Sequence, residues 1–191
     1  YNIDNYTTDP IRVRNFDDIQ VSYDKRQSVL GEHVASLGER IGDEIAYVWA
    51  PSADAALALR TTGAATSGLP NATATGTRLL LTKSDVARMA KKLDNDKAPK
   101  KGRSLLMTPE MYYELFEIDA LVRADYMGNV ALPEGVINRL FGFDIMVRST
   151  VVLYDDSAAG VKKAVGAAEA TTDCYGAIAW SNFAVRSAQG A

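Results

Sequence analysis

Several residue types on which functional sites depend are scarce in this sequence. Its 191 residues include one cysteine, Cys174, and one histidine, His33. A single cysteine cannot form an internal disulfide, which fits a reducing compartment. Metal centres and catalytic triads need several convergent side chains. We therefore interpret the histidine as a packed or surface residue of a helix, and the thiol as a buried, unreactive one.

An excess of either charge is also lacking, since 21 basic residues face 24 acidic ones, a net charge of −3. A strong polyanion-binding protein normally carries a clear basic excess, so the overall balance requires no nucleic-acid partner. No apolar run approaches the roughly 18 residues that a membrane span needs. No signal segment and no glycine-rich phosphate loop is present. We expect no cofactor, no metal site and no membrane partner.

The first 23 residues show the alternation typical of extended strands. Two runs in which apolar and polar side chains alternate are separated by a turn-like segment at 15–18. The apolar members are Ile11, Val13, Ile19 and Val21. A two-stranded ribbon is only marginally stable alone in water. We therefore predict a β-hairpin arm over residues 1–23 whose apolar face lies on another surface, either of its own domain or of a neighbouring subunit.

A long amphipathic helix is predicted from Asp24 to about Ala50. Asp24 can cap it, with Gln27 three residues later, and Pro51 ends it. Its apolar residues recur at spacings of three and four and form one continuous stripe: Leu30, Val34, Leu37, Ile41, Ile45 and Val48. At the helical rise of about 1.5 Å per residue, the helix is about 40 Å long, the width of a small domain.

The chain changes character at residues 52–77, of which 19 are Ala, Gly, Ser or Thr. Such small side chains bury little apolar area, so we predict a loop and a boundary between two lobes. The pattern beyond it is mixed α and β. The predicted elements are a strand at 79–81, a helix capped by Thr82 or Ser84, a strand at 104–107, a helix starting at Pro109, a short turn or helix at 136–140, and strands at 143–153 and 175–180.

Charge is uneven in one region, between Lys83 and Arg103, where eight basic residues face three aspartates. Six of the basic residues crowd one helix end and its loop: Lys91, Lys92, Lys97, Lys100, Lys101 and Arg103. One interpretation is contact with nucleic acid or with an acidic patch on a neighbouring subunit. The other is a solvated loop whose cations suit a helix C-terminus. The lack of interleaved aromatic residues favours the second.

Two acidic patterns have simple structural interpretations. Residues 94–96 resemble the start of a calcium loop, but Ala98 stands where a ligand is needed, so we predict a polar loop. Glu110, Glu114 and Glu117 share one helix face by spacing. A carboxylate pair can perform acid–base chemistry, and a hydrolase using Glu110 and Glu114 is kept as an alternative. A solvated helix face is the simpler interpretation.

Short motifs follow one another in an order that matches a known family. They are residues 21–31 ahead of the long helix, 102–109 where a strand leads into a proline-started helix, 135–145 followed by 147–149, and 177–180 before 183–186. This series resembles the major capsid proteins of tailed bacteriophages, which have the Hong Kong 97-type fold. The resemblance implies an α+β fold with an extended β-hairpin arm, a long spine helix and a mixed α/β axial domain.

The resemblance also implies a domain division. Residues 1–23 are expected to form the extended loop, with Ile11, Val13, Ile19 and Val21 against another subunit. Residues 24–76 are expected to form a peripheral domain with its spine helix at 24–50 and its linker at 52–76. Residues 77–191 are expected to form mainly the axial domain, whose end can return toward the peripheral domain. In this family an N-terminal arm precedes the extended loop and the chain returns to the peripheral domain at its end, whereas this sequence opens at Tyr1 and stops at Ala191, so we expect further segments at both ends.

The function implied is that of a structural coat protein, not an enzyme. Such a protein self-assembles through hexamers and pentamers into the icosahedral shell that encloses the phage genome. The expected partners are copies of itself, scaffolding, portal or decoration proteins, and packaged DNA without sequence specificity. The expected location is the virion, after assembly in the bacterial cytoplasm. The alternative within the same fold is an encapsulin-type nanocompartment shell that holds an enzyme cargo.

Overall fold

A computed structural model of the chain describes residues 25–52, 57–66, 78–115, 139–155 and 160–183. The predicted arm, with Ile11, Val13, Ile19 and Val21, lies outside the described residues and stays a prediction. The same holds for the predicted cap Asp24, for most of the small-residue linker and for Glu117.

Helix α1, Lys25–Trp49, confirms the long helix that the sequence predicts. Its ladder of hydrogen bonds closes where the Ala50 N–H donates to the Ala46 carbonyl oxygen at 3.0 Å. Pro51 follows and has no N–H with which to continue the ladder. The helix therefore ends at the proline, as predicted.

Helix α2, Lys83–Asn95, begins at the first of the two predicted caps. The Thr82 hydroxyl accepts a hydrogen bond from the Asp85 N–H (3.2 Å), and the Asp85 carboxylate accepts one from the Thr82 N–H (3.0 Å). This reciprocal pair is a capping box. Val86 is fully buried and Leu93 packs against the same core, so the apolar side of the helix faces inward.

A four-stranded sheet lies at the centre of the fold. Its strands are β3 (Arg103–Met107), β4 (Arg139–Leu140), β5 (Phe143–Val147) and β9 (Ile178–Ser181). They lie in the order β4–β5–β3–β9. Strand β3 pairs parallel with β5 and antiparallel with β9, so that Leu105 lies opposite both Ile145 and Ala179. A strand that has neighbours on both sides and is covered on both faces usually has a nearly continuous apolar sequence. The sequence of β3 has this pattern, and its prediction as a buried strand is confirmed.

Thr108 follows β3 and caps helix α3, Pro109–Glu114, by accepting a hydrogen bond from the Met111 N–H at 3.5 Å. This confirms the helix predicted from its proline. The prediction of a turn or helix at 136–140 is wrong at its described end, because Arg139–Leu140 is strand β4. Phe141 and Gly142 both have positive φ, 47° and 85°, and make the two-residue turn from β4 to β5.

The strand predicted at 143–153 is in fact two strands in different sheets. Strand β5 ends at Val147, and β6, Val152–Asp155, belongs to a three-stranded sheet in the order β7–β6–β8. Its other strands are β7, Val161–Lys162, and β8, Asp173–Gly176. The strand predicted at 175–180 is divided in the same way, between β8 and β9. The alternation of apolar and polar side chains does not mark the break between β5 and β6, because the chain passes directly from one sheet to the other.

The small-residue segment is not only a loop. Strand β1, Ala65–Thr66, pairs antiparallel with β2, Arg78–Leu79. The Thr61 hydroxyl donates to the Leu79 carbonyl oxygen at 2.6 Å. Hydrogen bonds therefore attach the described part of this segment to β2, which corrects the prediction that it is only a loop.

Two hydrophobic clusters lie on opposite faces of the four-stranded sheet. The larger one joins α2 and α3 to the sheet and contains Leu81, Val86, Leu105, Met107, Met111, Leu115 and Phe143. The smaller one joins α1 to the other face and contains Ala46, Ala50, Val151, Val152 and Ile178, with Leu106 and Trp180 packed against it. Alternation along β3 explains this, since Leu105 and Met107 face one side and Leu106 the other.

Candidate functional site

Helix α1 packs on the described chain through a side of small residues. Ala46 and Ala50 are buried in the smaller cluster. Gly42 lies on the same side of the helix, and a Cβ built there would come within 3.1 Å of the Arg148 guanidinium. Since an α-helix turns by about 100° per residue, this side lies roughly opposite the predicted apolar stripe. The small side chains allow the close approach.

Polar side chains that follow β5 hold the middle of α1. The Arg148 guanidinium donates to the Glu39 carbonyl oxygen at 2.8 Å and forms an ion pair with Asp43 at 2.9 Å. The Thr150 hydroxyl donates to the Asp43 carboxylate at 3.0 Å. These bonds come from the segment in which the chain passes between the two sheets, so the break between β5 and β6 also attaches the helix.

Lys162 holds the C-terminal end of α1. Its ammonium donates to the carbonyl oxygens of Tyr47 (2.7 Å) and Ala50 (2.9 Å) and lies 4.4 Å from the centre of the Tyr47 ring. The last carbonyls of a helix lack helical partners and carry the negative end of the helix dipole. Burial lowers the pKa of Lys162, so these acceptors help the side chain to remain charged.

The predicted apolar stripe of α1 faces away from this contact. Leu30, Val34 and Val48 are 61%, 69% and 69% exposed, while Leu37, Ile41 and Ile45 of the same stripe are half-buried. Within the described residues, no atom lies within 4 Å of a Cβ built at Gly31 or Gly38. We call the six residues from Leu30 to Val48 the α1 stripe. Exposed apolar side chains on adjacent turns, such as Leu30 and Val34, are typical of interaction surfaces.

The predicted basic surface must be corrected at Arg103, which is 2% exposed. Its guanidinium donates to the carbonyl oxygens of Ala98 (2.7 Å) and Pro99 (2.9 Å) and to the Asp94 carboxylate (2.7 Å). Arg103 therefore holds the loop at 94–102 from the inside and does not belong to the exposed surface. Its hydrogen bond also keeps the pKa of Asp94 below its ordinary value.

Lys97 occupies the position after α2 that glycine usually takes. Its φ is 58°, its N–H donates to the Asp94 carbonyl oxygen (3.0 Å), and the Ala98 N–H donates to the Leu93 carbonyl oxygen (2.9 Å). These two bonds end a helix in the Schellman motif. A side chain in this left-handed conformation costs about 1 kcal/mol relative to glycine. A lysine therefore stands where the backbone favours glycine.

The remaining lysines form an exposed patch. Lys92 is half-buried and pairs with Asp96 at 3.3 Å, which leaves Lys91, Lys97, Lys100 and Lys101, here called the basic loop surface. The Lys100 side chain is 84% exposed and reaches Asp94 only at 4.0 Å. For Lys91, Lys97 and Lys101, the described part of the chain provides no ion pair.

Asp85 is the centre of a buried polar cluster that joins α2 to residues 61–62. Its carboxylate accepts bonds from the Thr62 N–H (3.0 Å) and hydroxyl (2.9 Å), and from the Thr82 N–H (3.0 Å) and hydroxyl (2.7 Å). Burial raises the pKa of Asp85, but the bonds from Thr82 and Thr62 together outweigh it and leave the pKa below its ordinary value. The Thr82-x-x-Asp85 spacing was the sequence signal that could have identified this cluster.

We expect Asp85→Asn to lower the free energy of unfolding at pH 7 by about 1–3 kcal/mol, because the amide leaves buried donors without an acceptor. The folded pKa lies below the unfolded one, so the carboxylate stabilises the fold above about pH 4 and this contribution is lost as the pH falls through the folded pKa. Urea titrations of both proteins should show the difference shrinking from pH 7 toward about pH 3. Asp96→Asn, at the exposed end of the same helix, is the control. A difference that stays constant with pH contradicts the prediction.

The acidic residues considered for a hydrolase differ sharply in environment. Both carboxylate oxygens of Glu114 accept hydrogen bonds from the Arg78 guanidinium, and one also accepts the Leu81 N–H at 2.8 Å. The side chains of this pair are only 6% and 10% exposed. Glu110, in contrast, is exposed. Glu114 therefore joins β2 to α3 and is not aimed at a substrate, while Glu110 lies on the solvated face that the sequence predicts.

The single histidine and the single cysteine are both half-buried. His33 lies on α1 and Cys174 lies in β8. Among the described residues, no group of three or more His, Cys, Asp or Glu side chains could hold a metal ion. Within the same residues, no helix combines the length and apolar character needed to cross a bilayer.

Comparison with known proteins gives one family and one fold. The model of a family described as phage capsid protein matches residues 7–190. A capsid chain from the structure titled "Capsid structure of the Cyanophage P-SCSP1u" is 18% identical with a TM-score of 0.58, and the match covers 88% of this chain and 54% of that one. The chain thus spans about half the length of that capsid chain, and the predicted α+β capsid fold is confirmed. None of the curated proteins is similar enough to count as a match.

Proposed function

The chain belongs to the phage capsid protein family, and from this premise we propose that it is the major coat subunit of a tailed phage, which assembles with copies of itself into an icosahedral head shell around the genome. Family and fold both point to a structural protein rather than an enzyme. The observation that carries the proposal is the family match over residues 7–190, nearly the whole chain. No observation on the described residues favours the nanocompartment alternative or the hydrolase.

The α1 stripe supports an assembled state. Burial of apolar surface stabilises a protein by roughly 25 cal/mol per Å², so a helix side bearing Leu30 and Val34 in water indicates a missing partner. The predicted arm carries a matching apolar face on Ile11, Val13, Ile19 and Val21, and a two-stranded ribbon needs a surface to lie on. We propose that the arm of one subunit packs on the α1 stripe of another.

The finer assignments of domain and partner follow from the same proposal. Residues 1–23 act as the extended loop, 24–76 as the peripheral domain, and 77–191 mainly as the axial domain. The smaller cluster supports a packing region of its own for α1, since Ala46 and Ala50 pack on the face of the sheet opposite α2 and α3. We further propose assembly through hexamers and pentamers in the bacterial cytoplasm, with scaffolding, portal or decoration proteins as partners and DNA held without sequence specificity.

The test is assembly of the full-length protein after nuclease treatment. We expect sedimentation velocity to show species much larger than the 20.7 kDa chain, and negative-stain microscopy to show rings or closed shells of uniform diameter. A protein that remains monomeric at high concentration, under every condition of salt and pH in which it stays folded, contradicts the proposal.

A further inference from the structure

We propose that the basic loop surface of one subunit binds an acidic side of α1, formed by Glu32 and Glu39, on a second copy of this chain. The inference rests on the proposed shell function and deepens it, because it names the two surfaces that meet. The partner is a copy of the chain and not the packaged nucleic acid.

The basic side of the contact is held in a defined position. Arg103 fixes the loop from inside through three acceptors, so the lysines are displayed on an anchored turn. Lys97 sits in a left-handed conformation that favours glycine. Residues kept in an unfavourable backbone conformation cluster at functional sites. The backbone therefore places the Lys97 charge at a defined point of the loop.

The acidic side lies toward the N-terminal end of α1, on the same side of the helix as Gly42 and beside the Glu39 carbonyl oxygen that Arg148 holds. Glu32 and Glu39 are both exposed, and the described residues give neither an ion pair. They are seven residues apart, so they share one side of the helix at a separation of about 10 Å. Lys97, Lys100 and Lys101 are all exposed on the loop that follows α2. The two surfaces can therefore pair more than one charge at once.

The distribution of charge along the chain favours a second copy over DNA. Residues 83–103 contain eight basic and three acidic residues, a net of +5, whereas the rest contains 13 basic and 21 acidic residues, a net of −8. Copies of such a molecule attract each other when the basic loop meets the acidic remainder. A DNA duplex would meet mostly negative surface around a small basic patch, and no aromatic side chains interleave with the lysines.

The two surfaces are different patches of the same chain, which determines the kind of assembly. A contact between unlike patches is heterologous, and heterologous contacts repeat around a ring when the rotation closes. The proposed contact therefore continues beyond a dimer and can close into the rings that a shell built from hexamers and pentamers requires. An interface of this kind should also weaken with salt, because exposed charges are screened.

The experiment is a charge swap in the full-length protein, with assembly followed by sedimentation velocity. We expect Lys97→Glu, Lys100→Glu and Lys101→Glu together to raise the concentration for half-assembly by about tenfold or more, because attraction becomes repulsion. Adding Glu32→Lys and Glu39→Lys should restore assembly. Adding Glu110→Lys and Asp144→Lys, which give the same net charge on exposed positions away from α1, should not.

The outcomes separate this inference from the proposed function. If the wild-type protein forms no rings or shells, both fail. If the wild type assembles and the triple lysine variant assembles equally well, the shell function stands and the basic contact is wrong. If that variant instead loses binding to a short DNA duplex in fluorescence anisotropy while assembly is unchanged, the surface is a nucleic-acid contact and the inference is overturned. Rescue by Glu110→Lys with Asp144→Lys would reduce the effect to net charge and overturn it too.

Lys97→Gly provides a second test, which distinguishes a role of the Lys97 charge in the contact from a purely structural role of the residue. Glycine relieves the left-handed backbone strain, so the variant should melt at a higher temperature than wild type. The same variant should assemble about threefold more weakly, since one charge of the contact is lost. Stabilisation without any loss of assembly would contradict a role for the Lys97 charge.

Discussion

Replacing Glu114 with glutamine lowers the free energy of unfolding by about 3–5 kcal/mol, because a buried ion pair loses its carboxylate. The Arg78 guanidinium has only 6% of its side chain exposed and is held by both oxygens of Glu114. An amide supplies one acceptor in place of two and no charge. Because the pair joins β2 to α3, its loss also weakens the contact of the segment at 78–81 with the core. Urea denaturation monitored by circular dichroism measures the change.

A matched control for this variant lies on the same helix. Glu110→Gln removes an exposed carboxylate from α3, and we expect it to change stability by less than about 0.5 kcal/mol. Arg78→Met with Glu114→Met should regain part of the loss, because an apolar pair leaves no buried charge. Equal effects for Glu110→Gln and Glu114→Gln would show that the ion pair has no special role. The result also bears on the hydrolase, since an activity lost in Glu114→Gln would have to be separated from loss of fold.

The parts of the fold that the sequence predicts correctly depend on near neighbours along the chain. Helix α2 begins at Thr82 because Asp85, three residues later, completes its cap, and α3 begins at Thr108 because Pro109 suits the first turn. Strand β3 is recognisable from its run of apolar residues. In each case the interactions that decide the structure lie within a few positions, so a pattern of letters contains them.

The errors come from burial and from contacts between distant positions, neither of which a pattern of letters shows. Arg103 looks like one more cation of a basic run, yet its buried guanidinium holds the loop beside it, a role that only the path of the chain reveals. Arg78 and Glu114 are 36 residues apart. The division of 143–153 into two strands leaves no sign in the alternation, because a chain that passes between sheets keeps its apolar side inward.

Helix α1 has one feature that the sequence predicts and one that it does not. Its apolar periodicity predicts a helix and an apolar stripe, and the helix is confirmed. Periodicity does not say whether a stripe faces the chain's own core or another molecule. The buried side turns out to carry Ala46 and Ala50, residues too small to stand out in the pattern, while Leu30 and Val34 remain exposed. The most apolar face of the helix is therefore available for assembly.

Leu30→Glu with Val34→Glu is accordingly expected to abolish shell assembly while leaving the subunit folded. Both residues are more than half exposed, so their replacement should change the melting temperature little. In the proposed contact they are covered by the arm of another subunit, and burial of two unpaired carboxylates costs several kcal/mol at each contact. Because a shell repeats the contact in every subunit, the total free-energy cost increases with the number of subunits. Sedimentation velocity should find monomers or small oligomers at concentrations where the wild-type protein is fully assembled.

The control for that variant is Ala168→Glu with Thr171→Glu, which adds the same charge at exposed positions between β7 and β8, away from both the α1 stripe and the side bearing Glu32 and Glu39. It should still assemble, because neither position belongs to the apolar stripe.

Loss of assembly in both variants would assign the effect to added charge rather than to the stripe. A marked fall in melting temperature confined to Leu30→Glu with Val34→Glu would show that the stripe is covered within its own chain. The arm would then have to bind elsewhere. Normal shells from the stripe variant would remove α1 from the contact altogether.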